Sequence, residues 1–350
     1  MSCVLRRRFP GSTGHLTPSR ETGYVFKLAQ TDEWVAAATE DRCIRLIDLA
    51  TLGLVNQICP AHDSTITDLQ AVPTTVSGAS SGSVFLSSSA DGTVKVWDIR
   101  ANTSPAMTLK LSNNSTDAPM FAAAVSGSGT CAAACDSSIS LFKFGEWKRL
   151  FEYTEAHFQA VTCMGFEGEV LVSGGEDGLV NLLNTADLVN EDNGQCPALT
   201  MNTDNCIRSC HFWGNRLFAF STTESVSSWD LSCGVQIGAT NDSIRMHPML
   251  AGVESFGYLI GMNSDCTRIL CGNSSGDLLE LNSLDMSVTS IFDKHHSGVV
   301  RSAVYVPNSN LIVSAGEDGF VLEWERAGGQ IELSARTPSK PKTSLSTRPY

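Results

Sequence analysis

Seven times along this chain a short apolar run, a tight polar turn and a second apolar run follow one another, at intervals that barely change. The clearest copies read SSSADGTVKVWDIR at 87–100, VSGGEDGLVNLLN at 172–184 and VSAGEDGFVLEWE at 313–325, with a weaker copy, AAATEDRCIRLID, at 36–48. Aligning the turn residue of each copy gives Asp41, Asp91, Asp136, Asp177, Thr223, Ser275 and Asp318, spaced 50, 45, 41, 46, 52 and 43 residues apart. A period near 45 residues, carried by β-branched and aromatic runs without helical periodicity, is the pattern of a propeller built from four-stranded blades. A helical solenoid would show a 3.6-residue period instead. The expected fold class is therefore all-β, a seven-bladed β-propeller.

Composition narrows the function classes. With 350 residues, 42% apolar and 17% charged, the chain can bury a large core. Its net charge of −13 is unevenly spread, because residues 1–20 and 334–350 contain no Asp or Glu but carry eight Arg and Lys. The body between them is near −21, a surface that repels phosphate backbones and attracts basic proteins. Nucleic acid is thus an expected partner only for the basic termini. No apolar run approaches a membrane span, so the chain is expected to be soluble, and cytoplasmic or nuclear. The acid-free first twenty residues also fit a mitochondrial transit peptide, although Pro10 and Gly11 break any long amphipathic helix there.

The twelve cysteines lie mostly in apolar, strand-like segments and read as reduced core residues. The nearest approach to a metal motif is Cys206, Cys210 and His211 in CIRSCH. On a strand those two cysteines stand about 13 Å apart, too far to share a zinc ion, so no metal and no cofactor is expected.

The residues at the ends of the hairpins resemble the WD-repeat family. That family joins a His before the first strand, a Ser or Thr in the second, an Asp in the turn and a Trp in the third into one hydrogen-bonded tetrad per blade. The resemblance carries over in full onto His62, Ser87, Asp91 and Trp97, and onto His296, Ser314, Asp318 and Trp324. A third set keeps His157, Ser173 and Asp177 but has Leu183 in place of Trp. Elsewhere the pattern is eroded, with Phe142 after Asp136, Trp229 standing alone after Thr223, and Leu281 after Ser275. His62, Ser87 and Asp91 also match the residue types of a hydrolytic triad. Their recurrence in several blades argues for a structural role, since a catalyst needs one constellation and a buried polar network needs complete pairing. No catalytic residue is assigned and the chain is read as no enzyme; His15, His211 and His247 read as surface or packing residues.

The repeat register places blades at 24–58, 65–110, 120–153, 160–201, 205–238, 254–292 and 298–325. Residues 3–9 are expected to supply the last strand of blade 7, with IELSAR (331–336) as a competitor, and 1–335 to form one propeller followed by a disordered basic tail at 336–350. TVSGASSGS (75–83), NNSTDAP (113–119), NTADLVNEDNGQCP (184–197) and ATNDSIRMHP (239–248) read as connecting loops. At finer resolution, DGTVKVWDIR (91–100), VSGGEDGLVN (172–181), GYLIGMNSDCTRILCGNSSG (257–276) and HHSGVVRSAVYVPNSNLIVSAGEDGFVLEW (295–324) resemble the WD-repeat-containing protein 89 family. That resemblance implies an interaction scaffold.

Function then rests on surfaces. Residues beside the turn Asp face one rim of the ring, and there the sequence places Glu40, Glu176, Glu224 and Glu317, with Asp63 after His62. This predicts a negatively charged ring that docks Lys/Arg-rich segments of basic proteins, such as those of ribosome or chromatin assembly. At the opposite rim, 85–100 fits the box of substrate receptors of cullin-RING ubiquitin ligases, in which Asp98 and Arg100 would meet the ligase adaptor. Finally, blade 5 lacks the turn Asp and has Ala219 in place of the strand Ser, so it is expected to open more readily than blades 2 and 7.

Overall fold

The computed structural model describes residues 4–10 and 23–325, apart from 32, 52, 78–82, 101–103, 112–119, 187–196, 240–256, 293–295 and 308. Within them lie seven four-stranded antiparallel sheets, each a meander of consecutive strands except the last. Six blades span 25–58, 66–110, 120–153, 161–202, 207–239 and 258–292. The seventh combines Val300–Tyr305, Leu311–Gly316 and Phe320–Glu325 with the N-terminal strand Val4–Pro10, which pairs antiparallel along Phe320–Glu325. The ring is thereby closed by the N-terminal strand. The C-terminal IELSAR alternative, the tail and most of the three later loops lie outside the described residues. In the loop at 75–83 the structure corrects the sequence reading, since Thr74–Ser77 forms a short helix.

Strand burial follows radial position. The second strand of blade 2, Val84–Ser89, is buried at every residue, because it has a neighbouring blade on each face. The outermost strand, Met107–Lys110, alternates half-buried and exposed. Long apolar runs therefore mark the middle strands, and alternating ones mark the rim of the wheel. The apolar side chains collect in seven clusters, one at each seam between adjacent blades: Ala36, Leu46, Leu69, Phe85 and Trp97 between blades 1 and 2, for example, and Leu270, Phe292, Ile312 and Trp324 between 6 and 7.

Each innermost strand carries a register shift near its start, as at Val25/Lys27, Ile66/Asp68, Ile207/Ser209 and Val300/Ser302. Such bulges sharpen strand twist where seven strands crowd round the axis. Lys27 of blade 1 reaches Asp68 of blade 2 at 3.0 Å, and Gln70 donates to the Met164 carbonyl of blade 4 at 3.3 Å. Polar groups on these crowded inner strands thus pair with each other.

Candidate interaction surface

The turns between second and third strands gather on one rim together with the loops that lead into each blade. In blade 2, Trp97 Nε1 donates to Ser87 Oγ at 2.8 Å, Ser87 Oγ lies 2.7 Å from His62 Nε2, and His62 Nδ1 lies 3.0 Å from Asp91 Oδ2. Asp91 also accepts from the Asp63 and Thr93 backbones at 3.0 and 2.9 Å. Blade 7 repeats this, with Trp324 to Ser314 at 2.8 Å, Ser314 to His296 at 2.8 Å and His296 to Asp318 at 3.0 Å. In blade 4, His157 meets Ser173 at 2.8 Å and Asp177 at 3.1 Å. Leu183 fills the Trp position there with apolar bulk, and Asn181 Nδ2 ties the third strand to the Ala156 carbonyl at 2.6 Å.

Electrostatics agree with locks rather than reagents. Burial opposes ionisation of Asp91, but the hydrogen bonds from His62 and Thr93 outweigh it and hold the carboxyl well below the usual carboxylate range. Asp318 is lowered in the same way, burial being overcome by His296. For His157 burial dominates over Asp177 and lowers the imidazole below its ordinary value. Ser87, Ser173 and Ser314 are each 0% exposed, so no substrate carbonyl can reach the hydroxyl that a hydrolase would need.

The other blades solve the same turn differently. In blade 1, which has no His among its described residues, the third-strand Arg45 reaches back to Asp41 through two bonds of 3.1 and 2.5 Å and donates to Thr39. In blade 6, Asn273 Oδ1 accepts from Ser275 N and Asp277 N, both at 2.9 Å. In blade 5 a cluster of hydroxyls stands at the turn, with Ser221 Oγ 2.6 Å from Ser225 and 2.8 Å from Thr223.

The sequence that builds this rim matches a known repeat. Residues 53–98, 147–184 and 286–325 match the family model described as WD domain, G-beta repeat. Each stretch carries the fourth strand of the preceding blade and the first three strands of blade 2, 4 or 7, the three blades in which His, Ser and Asp meet. The chain carries WD repeats at these three stretches. Its WD-repeat propeller is similar to the WD repeat-containing protein 89 homolog of Dictyostelium discoideum, at 23% identity over 87% of this chain and 83% of that protein. An uncharacterized WD repeat-containing protein of Saccharomyces cerevisiae is 24% identical over 83% of this chain and 75% of its own. The pre-rRNA-processing protein IPI3 of Yarrowia lipolytica is 20% identical over 62% of this chain and 54% of its own.

Several residues stand apart from the sequence reading. Glu40, Asp63 and Glu176 are exposed on the rim. Glu317 instead pairs with Arg301, and Glu224 with Arg208 at 3.2 Å, so these two are neutralised rather than free members of a negative ring. Glu224 follows the turn position with a φ of +63°, where blade 2 has Gly92, and its carboxylate accepts Leu259 N of blade 6 at 2.7 Å. Arg208 donates to the Leu259 carbonyl, so the pair clasps one residue of the next blade by both backbone groups. Arg208 and Arg301 both occupy the bulge of their innermost strand, which turns them toward the rim. Each stands 16 residues before its Glu, and that shared spacing is the signal by which sequence alone could have found them.

On the opposite rim, Arg100 turns its Nε and Nη2 donors onto Asp98. It folds onto Asp98 with bonds of 2.9 and 2.7 Å, and these bonds lower the Asp98 carboxyl. Cysteine chemistry needs one correction: Cys43 and Cys59 form a disulfide. Ile44 pairs with Ile58 across the third and fourth strands of blade 1, which sets the two cysteines opposite each other. Among the described residues, the one group of potential metal ligands within 4.8 Å is Asp41, Cys43 and Cys59, and both sulfurs are in the disulfide while Arg45 holds the carboxylate. His211 packs its ring on Phe220, with centroids 4.9 Å apart. His15 and His247 lie outside the described residues. No helix of the described residues is long and apolar enough to cross a membrane.

Proposed function

We infer that this WD-repeat propeller is a non-enzymatic scaffold that docks a basic protein segment on the rim carrying the turn Asp residues. The observation that carries this reading is the exposure of Glu40 and Glu176, whose carboxylates pair with no Lys or Arg among the described residues; Asp63 is also exposed, with the Arg42 guanidinium donating to its backbone carbonyl at 2.8 Å. A surface near −21 concentrates this attraction and steers basic segments to the ring. The name of the Yarrowia relative supports a setting in ribosome assembly, where basic proteins are handled, and with it a nuclear location. Replacing Glu40 and Glu176 together by Lys is expected to remove the basic partners recovered by affinity purification with mass spectrometry. An unchanged partner set overturns the reading. Glu317 is left intact in this test because reversing it would also break its pair with Arg301.

A second reading concerns the far rim. The forked Asp98–Arg100 pair, with Arg100 half exposed, presents a fixed guanidinium edge suited to an adaptor of a cullin-RING ligase while a client occupies the acidic rim. Arg100→Ala should remove the adaptor from immunoprecipitates without changing the melt; adaptor recovered in full excludes this role.

A further inference from the structure

Three blades share one device: the residue after the tetrad His donates its backbone N–H to the turn Asp. The donors are Asp63 at 3.0 Å, Phe158 at 2.9 Å and Ser297 at 2.9 Å. Only the backbone is used, so the fold makes no demand on the side chain. Blades 2 and 7 place polar residues there, as an exposed turn allows. Blade 4 places a phenylalanine that is 89% exposed, the most exposed of the large apolar side chains among the described residues. A bulky ring held in water contributes nothing to the core, and the backbone that carries it is already fixed by Asp177.

Its surroundings define that partner. The blade 3 turn abuts the Phe158 loop, with Val161 N donating to the Asp136 carbonyl at 2.9 Å, and the Glu176 N–H bonds the Ala160 carbonyl at 2.9 Å. Exposed Asp136 and Glu176 thus sit on turns bonded to the Phe158 loop, exposed Glu155 lies three residues before the ring in the chain, and none of them pairs with a Lys or Arg among the described residues. An aromatic face among unpaired carboxylates favours a cation over an aliphatic side chain. A guanidinium fits best, since it stacks flat on a ring and still turns its N–H edge to neighbouring carboxylates.

We propose that Phe158 is the anchor of the docking rim and selects arginine within the basic segment, its ring stacking one guanidinium while Glu176, with Asp136 and Glu155, takes the flanking charges. This rests on the rim reading above and gives it a specificity. The test uses the full chain and two fluorescent probes, a nonapeptide of arginine and one of lysine, measured by polarisation over a salt series. The wild type is expected to bind the arginine peptide several-fold tighter than the lysine one. Phe158→Ser, which installs the residue found at this position in blade 7, should weaken the arginine peptide about fivefold and abolish the preference, with an unchanged melt and an unchanged salt slope. Glu176→Gln should weaken both peptides and flatten the salt slope. If Glu176→Gln weakens binding while Phe158→Ser leaves the arginine preference intact, the rim reading stands and the Phe158 inference is overturned. If the wild type binds neither peptide at low salt, both are overturned.

Discussion

Blades 2 and 7 and blade 5 share one backbone plan but lock it by different chemistry. In blades 2 and 7 a carboxylate ties an imidazole and two backbone N–H groups to the turn, and a buried Trp and Ser extend the network into the sheet. Blade 5 has neutral hydroxyls at its turn and an Arg208–Glu224 clasp that grips blade 6. It also bears three of the seven exposed large apolar side chains among the described residues, Trp213, Val235 and Ile237, so its surface is the least sealed. Hydrogen bonds to a buried charged group are worth about twice those between neutral groups. The difference teaches that the repeat sets the shape of a blade, while the turn residue sets how firmly it is held.

Substitution at the turn should separate the blades most strongly. Asp318→Ala leaves His296 and the backbone N–H groups of Ser297 and Phe320 without their acceptor and should cost roughly 1–3 kcal/mol in denaturant melts. A neutral result would break the comparison. Next, Arg208→Ala removes one half of the clasp and leaves Glu224 without its cation; the cost should be about 1–2 kcal/mol, with faster exchange at the seam of blades 5 and 6. Exchange slowed or unaltered there would mean that blade 5 relies on its apolar seam alone.

Acid should sharpen the contrast. Burial, helped by the charges of Lys27 and Arg208, pushes His211 of blade 5 down to about 3, and its Nε2 is buried with no hydrogen-bond partner among the described residues. A folded value below the unfolded one means that the unfolded chain binds the proton more readily, so this stability is present above about pH 6.5 and is lost as pH falls from there toward 3. The lowered Asp91 and Asp318 lose their contribution only below the ordinary carboxylate value of 3.8. Melts between pH 7.5 and 5 should therefore show His211→Leu gaining on the wild type as pH falls. The smallest effect is expected at the blade 5 turn itself: Thr223→Ala, at an exposed hydroxyl, should change stability by less than about 0.5 kcal/mol.

The architecture was legible because its signals are periodic. Seven turns near a 45-residue spacing, each between apolar runs, leave a ring of sheets as the economical solution, and the apolar N-terminal segment had the edge of blade 7 to complete. The candidate site was legible only where it repeats. Glu224 and Glu317 looked like free rim charges because their partners, Arg208 and Arg301, lie 16 residues earlier on bulged strands, and a bulge leaves no mark in a two-residue alternation. Arg45 in place of a histidine, and Cys43 opposite Cys59, depend on cross-strand register that becomes definite only once the strands are paired. Phe158 was overlooked for the opposite reason: it sits in a repeated position but does nothing for the repeat.

Native-state hydrogen exchange resolved blade by blade at pH 7.5 tests the account most directly. The interior strands 84–98 of blade 2 and 311–325 of blade 7 should be among the last to exchange, and the corresponding strands 216–230 of blade 5 should open at lower free energy. Equal protection in all three blades would contradict the claim that the charged tetrads, rather than the apolar seams alone, hold these blades shut.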